Sequence, residues 1–187
     1  PWGWLGLARP SWQATALRRS YLLRVRRARP TTGVVRLDEP APTGGPRAAV
    51  IVLNWNAGEH LARCMASVLA TVPVGTRVVL VDNASTDGSM EAALRVSPGV
   101  QVVRNSENLG FAGAYNRAIR DASEPFVMLL NPDTVAQGAG WLDELLAIAE
   151  ADPEVSQVAC KLVFAHDPTR LNSAGGMAFW FTGPVDI

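Results

Sequence analysis

FVMLLNPDT, residues Phe126 to Thr134, decides how this chain folds. Five apolar residues in a row are short for a helix and suit a strand covered on both faces. The run stops at Asn131-Pro132-Asp133-Thr134. Asn and Pro are turn residues, and Pro132 cannot continue a central ladder. Asp133 therefore lies just past the carboxyl end of a buried strand, where open α/β sheets hold their ligands. Capping of the next helix is the plainer role for such an acid.

Outward from that strand the pattern alternates. Upstream, apolar runs at Ala49–Leu53, Arg77–Val81 and Gln101–Arg104 predict strands. Leu61, Met65, Val68 and Leu69 lie at helical spacing within Glu59–Ala70. Further helices are predicted over Met90–Val96 and from about Ala112 to Ala122. Downstream, Trp141, Leu142, Leu145, Leu146 and Ala149 mark an amphipathic helix, and Val155–Phe164 reads as a fifth strand. Strand starts recur roughly every 20–30 residues, the span of a βαβ unit. The expected fold is α/β, a Rossmann-like and mostly parallel sheet with helices on both faces. It is expected to be preceded by an N-terminal helix and a linker.

Hydrophobic content of 48% with 18% charged residues in 187 residues is that of a globular domain with a real core. The net charge of zero hides an asymmetry. Residues 1–47 carry nine Arg against Asp38 and Glu39, a net of +7, and the remainder carries eight Lys and Arg against fifteen acids, −7. Residues 1–10 lack the basic start and apolar core of a signal peptide. Ser11 is placed to cap a basic amphipathic helix reaching about Arg29, so residues 1–29 form one segment. Two roles stay open for it, packing on the domain or a preceding module, and contact with a membrane surface. Residues 30–47, with Pro30, Pro40, Pro42 and Pro46, read as a linker, and the domain is expected over 48–187. No nucleic-acid partner is expected, because the Arg-rich segment lies outside the folded core. No apolar run reaches the roughly 18 residues of a membrane span. Cys64 and Cys160 lack metal-ligand spacing and read as buried free thiols of a reducing compartment. The expected location is cytoplasmic, with peripheral contact at the inner face of the membrane through the first helix. Phe179, Trp180 and Phe181 stand close to Ile187 and call for a partner surface. Either the chain is a fragment or the rest of its fold lies in another segment.

Three strands end in polar turns, Asn54-Trp55-Asn56, Asp82–Asp87 and Asn131-Pro132-Asp133. In a parallel sheet these ends share one edge, so Asp82, Asp87 and Asp133 can converge on one ligand. Carboxylates on oxygen-rich loops suit Mg²⁺ or Mn²⁺, with phosphates completing the shell. There is no G-x-x-x-x-G-K-[ST], and no G-x-G-x-x-G follows the first strand. P-loop phosphate binding is thereby excluded, and the second absence argues against a dinucleotide oxidoreductase.

VIVLNWNAGEHLARCMASVLA, VVLVDNASTDGS, VVRNSENLGFAGAYNRAI and FVMLLNPDT together resemble, in the same order, the nucleotide-sugar half of family 2 glycosyltransferases of the GT-A fold. The likeness is in particular to bacterial rhamnosyltransferase-like members and runs from about Ala48 to Gly176. It implies donor-binding roles for Asn54, Asn56, Asp82, Asn83, Ser85, Asp87, Asn108, Gly110, Asn116 and Asn131, with Asp82 on the nucleotide base. The family's D-x-D metal motif corresponds to Asn131-Pro132-Asp133, which leaves Asp133 as the metal ligand. Two departures stand out, Asn131 as a neutral residue in the first D-x-D position and Ala118 where Gly is common. The resemblance implies inverting transfer from a nucleotide-diphosphate sugar, dTDP-rhamnose-like or UDP-linked, to a glycan or lipid-linked acceptor in cell-wall or polysaccharide biosynthesis. The catalytic base stays unknown. Such enzymes carry it in the acceptor half, which here is represented only by the segment around Asp186, while Asp167 sits in a turn. The alternative is a catalytically incomplete nucleotide-sugar-binding or scaffold module.

Plainer structural roles accompany each residue. Asp82 suits an Asx turn and Asp87 a helix N-cap, and Asn54, Asn56, Asn105 and Asn108 suit turns. His60 reads as a solvated helix face and His166 lacks a ligating partner. Trp55 either stacks on a ligand or packs against the sheet edge.

Overall fold

The computed structural model describes residues 21–24, 45–174, 176–179 and 183–186. Its centre is β2 (Ala48–Asn54), all seven residues of which are buried. β2 pairs in parallel with β3 (Arg77–Asp82) on one side and with β5 (Phe126–Leu130) on the other. β4 (Gln101–Arg104) extends the parallel ladder beyond β3. On the far side of β5 lies β1 (Tyr21–Arg24), antiparallel both to β5 and to β6 (Gln157–Ala159). The six-stranded order is β4-β3-β2-β5-β1-β6.

The two-residue period of the strands splits the core into two layers. Ala48, Val50 and Val52 of β2, with Phe126, Met128 and Leu130 of β5, face three helices. These are α1 (Glu59–Thr71), α2 (Ser89–Val96) and α4 (Trp141–Ala151). They contribute Leu61, Met65 and Val68, then Met90 and Ala93, then Leu142, Leu145 and Leu146. On the other face Ala49, Ile51 and Leu53, with Val127 and Leu129, meet Ala114, Tyr115 and Ala118 of α3 (Gly110–Asp121). The small residues on α3, Ala118 among them, let the helix lie close to the sheet. The expected α/β sheet with helices on both faces is observed.

Two expectations are corrected. Tyr21–Arg24, expected inside a helix, is a strand. The outer side of β5 carries unpaired backbone groups, and β1 satisfies them through the register Tyr21↔Leu129 to Arg24↔Phe126. That ladder overrides the loose helical spacing of so short an apolar run. The remainder of the expected N-terminal helix, and the linker up to residue 44, lie outside the described residues. The expected fifth strand, Val155–Phe164, is two strands. β6 stays in the main sheet, whereas β7 (Leu162–Phe164) leaves it to pair with β8 (Asp167–Ser173). β9 (Gly176–Phe179) and β10 (Gly183–Asp186) form a further antiparallel pair. The break falls at Cys160-Lys161.

At the edge opposite the strand carboxyl ends, Glu124 is almost fully buried and accepts from Arg77 Nη1 at 3.1 Å and from the Ser123 N–H at 2.9 Å. Breaking a buried pair strands the surviving charge. Glu124→Ala is therefore expected to cost about 3 kcal/mol in urea unfolding, the lower end of the usual range because Arg77 is partly solvated.

Candidate functional site

The parallel register brings Asn54 directly beside Asp82, so the loops after β2 and β3 leave the sheet together. They are laced to one another. Asn54, with no exposed surface, donates from Nδ2 to Ser85 Oγ and Ser89 Oγ, each at 2.9 Å, and accepts from the Ala57 N–H. Asn56 adopts a left-handed φ of 51°, which asparagine tolerates, and its Oδ1 accepts from the Thr86 N–H at 2.8 Å. Its own N–H donates to Ser85 Oγ. Asp87 reaches the starts of two helices. Its Oδ2 accepts from the Gly58 N–H before α1, and its Oδ1 from the N–H and hydroxyl of Ser89 in α2. Desolvation raises its pKa, but these hydrogen bonds outweigh it and hold the carboxyl below the ordinary value.

Asp82 is buried at the end of β3. Its Oδ1 accepts from the Ser85 N–H, an Asx-type turn, and from Asn54 Nδ2, while Oδ2 faces Arg104 Nη1 at 3.7 Å. Ala84 takes a φ of 62°, a conformation costly to a residue with a Cβ. Strain of this kind gathers at functional turns, and it stands here between Asp82 and Ser85. Asn83 is buried and is bonded to Asn105, Asn108, Leu109 and Gly110 of the next loop. Asn108 and Gly110 are exposed at the start of α3, and Gly110 has a φ of +69°, which demands glycine. Asn116 is exposed one and a half turns further on.

The turn after β5 is gripped from both faces of the sheet. From α3, the Tyr115 hydroxyl donates to the Leu130 carbonyl at 2.9 Å. From α1, the Cys64 thiol lies 3.6 Å from the Asn131 carbonyl, which also accepts from Thr134 Oγ1. Burial pushes the Cys64 thiol up to about 12, so it is a packed donor and not a nucleophile at neutral pH. Asn131 is buried, and Asp133 beside it has one buried oxygen, Oδ1, with no hydrogen-bond partner. Burial pushes the Asp133 carboxyl above 3.8, against its own backbone N–H and the charge of His60. His60 thus stands within electrostatic reach of the site, which helical spacing alone did not reveal. Among the described residues no group of three His, Cys, Asp or Glu side chains is placed to hold a metal ion. An orphaned carboxylate oxygen fits a hard cation whose remaining ligands are phosphate oxygens and water.

The structure therefore brings Asn54, Asn56, Asp82, Asn83, Ser85 and Asp87 into one network and ties Asn108 and Gly110 to it. Asn131 and Asp133 follow β5, the neighbour of β2 on its other side. Arg104, Tyr115 and Arg117 were not singled out by their sequence pattern. Only their place at strand ends, or facing them, marks them.

A mostly parallel sheet with helices on both faces and polar loops at its carboxyl edge is an α/β architecture similar to that of the GT-A glycosyltransferases. Residues 49–179 match the family described as Glycosyl transferase family 2, and the chain belongs to that family. It is 36% identical over 115 residues to the N-acetylglucosaminyl-diphospho-decaprenol L-rhamnosyltransferase of Mycobacterium tuberculosis, covering 56% of this chain and 37% of that protein. It is 38% identical over 96 residues to the succinoglycan biosynthesis protein ExoU of Rhizobium meliloti, covering 50% and 27%. Among solved structures it resembles the mannosyltransferase PcManGT of Pyrobaculum calidifontis, in complex with GDP-Man and Mn²⁺. That match has a TM-score of 0.51 and 28% identity, covering 64% of this chain and 38% of the other. The chain thus spans less than half the length of each. No helix among the described residues is long and apolar enough to cross a membrane.

The raised Asp133 pKa has a stability consequence. From 3.8 up to its raised folded value, the native state keeps a proton that the unfolded chain releases. Stability therefore falls as pH rises through that window and stays reduced above it. Asp133→Asn is expected to melt at a higher temperature than the wild type at pH 7, and the gap should close as pH falls through 3.8 in a thermal series.

Proposed function

We propose that this chain is the donor-binding part of an inverting glycosyltransferase that uses a nucleotide-diphosphate sugar, dTDP-rhamnose-like or UDP-linked, and Mg²⁺ or Mn²⁺. The observation that carries the reading is the partnerless, buried Oδ1 of Asp133 at the carboxyl end of the central sheet. An oxygen left without a donor in a folded protein costs stability unless something else fills its coordination. Asp82, beside Arg104, is assigned to the nucleotide base. The Asn108–Gly110 stretch, with Asn116 on the same helix, is assigned to the donor's middle portion, and Asn131 and Asp133 to the diphosphate end. A divalent ion held by Asp133 would offset the charge that develops on the departing nucleoside diphosphate. The residues around it keep the carboxylate in place. Tyr115 and Cys64 hold the two carbonyls that precede the turn, so the Asp133 backbone is set before any ligand arrives.

The names of the relatives support the donor and acceptor classes. One acts on a diphospho-decaprenol-linked sugar, and another is a succinoglycan biosynthesis protein. A glycan or lipid-linked acceptor is accordingly proposed, with peripheral contact at the inner, cytoplasmic face of a membrane through residues 1–20, the part of the N-terminal segment that precedes β1. The base that activates the acceptor is not assigned. Asp167, expected in a turn, instead begins β8, and it spends its Oδ1 on the N–H and hydroxyl of Thr169, which favours a structural role. That observation also supports the second reading, a nucleotide-sugar-binding module without turnover. Sugar transfer or donor hydrolysis by the purified chain separates the two.

Titration calorimetry with UDP- and dTDP-sugars, with and without Mg²⁺ or Mn²⁺, tests the primary reading. Binding is expected only with the ion, and Asp133→Ala is expected to remove the ion-dependent part. Absence of heat with every donor sinks the proposal.

A further inference from the structure

Asn83 was grouped with the donor ligands by its motif, yet it is 2% exposed. Its side-chain amide is also fully used. Nδ2 donates to Asn108 Oδ1 at 2.6 Å and, more weakly, to the Gly110 carbonyl at 3.4 Å. Oδ1 accepts from Asn105 Nδ2 and from the Leu109 N–H, each at 3.0 Å. A primary amide has two donor hydrogens and two acceptor lone pairs, and all four are occupied. No polar atom of the Asn83 side chain is left for a ligand.

The partners lie along one stretch of chain, Asn105 to Gly110, which joins β4 to α3. Residues 106–110 of that stretch are exposed. Apart from Asn83, this loop is tied by the Asn105 N–H to the Asp82 carbonyl, by Arg117 Nη1 to Asn105 Oδ1, and by Asn108 Oδ1 accepting from Gly110 N–H. The backbone of Asn83 is itself pinned, its N–H donating to the Asn54 carbonyl at 2.8 Å. One side chain rooted in the rigid sheet edge thus grips four successive points of an otherwise exposed loop.

We propose that Asn83 is a positioning residue, the buried clamp that presets the Asn105–Gly110 loop and through it the Asn108 and Gly110 face offered to a sugar nucleotide. The assignment of that face to the donor rests on the function proposed above; the clamp itself does not. Asparagine is required because aspartate supplies only acceptors and leucine, of similar shape, supplies neither. Presetting a loop spares the ligand the cost of ordering it.

Asn83→Asp tests this, because it keeps the shape and both acceptors and deletes both donors. Amide hydrogen exchange is expected to speed up at Gly110 and the first turn of α3, which lose the deleted donors, while β2 and β5 keep wild-type protection. Donor affinity is expected to fall roughly tenfold, the worth of about one buried hydrogen bond. Added donor is expected to restore the lost protection. Unchanged exchange in the loop overturns the clamp, whether or not affinity changes. Faster exchange with unchanged affinity overturns its role in donor binding. Should the wild type bind no donor at all, the proposed function fails and the exchange arm alone decides the clamp. If Asn83→Asp does not fold, Asn108→Ala removes the clamp's acceptor from the exposed side. Its loop exchange is expected to rise severalfold, and an unchanged rate counts against the proposal.

Discussion

The parallel pairing of β2 with β3 and β5 is the constraint on which the rest depends. All seven residues of β2 are buried, so both faces must be covered, by α1, α2 and α4 on one side and α3 on the other. The same pairing lines up the carboxyl ends of the strands, and the polar loops that follow have no choice but to share an edge. The site is a consequence of the ladder, with Asn54 set beside Asp82 by register.

At that edge the amides form the framework. Asn54, Asn56, Asn83 and Asn105 use their side chains to tie one loop to the next. Buried amides are costly unless fully satisfied, and Asn54, Asn83 and Asn105 are bonded at both ends, which makes the loop cluster rigid. Asp87 works in the same sense, closing the starts of α1 and α2 together. Asp133 is the exception, a carboxylate with one oxygen left open in a half-buried turn. A framework this well bonded can hold one unsatisfied group, and such a group is where a ligand's binding energy has most to gain.

The alternation of strand and helix was legible because buried parallel strands read as unbroken apolar runs and the helices keep a clear spacing. VIVLN, VVLVD and FVMLL each fell where expected, and the turn residues after them marked the ligand edge. The four motifs named the family for the same reason, since strand-end turns need particular residues at particular places. Where the signal was short it misled. Tyr21–Arg24 has too few residues to distinguish a helical face from a strand, and only the open side of β5 decided between them. The break between β6 and β7 had the same origin, a change of pairing partner within one continuous apolar stretch.

What the chain alone determined is the order of its elements, the edge at which its polar turns gather, and the place of Asp133 just past the end of a buried strand. Those follow from local hydrophobic period and turn chemistry, which are properties of neighbouring residues. What only the tertiary structure decided is the division of labour among the polar residues. A motif cannot tell a ligand-facing asparagine from one that is buried and spent, because that difference is set by partners 22–35 positions away. Nor can it show that Tyr115 and Cys64 grip the turn before Asp133 from opposite faces of the sheet, or that Asp133 has an oxygen with no partner. These depend on distances between elements, and such distances exist only once the sheet has formed.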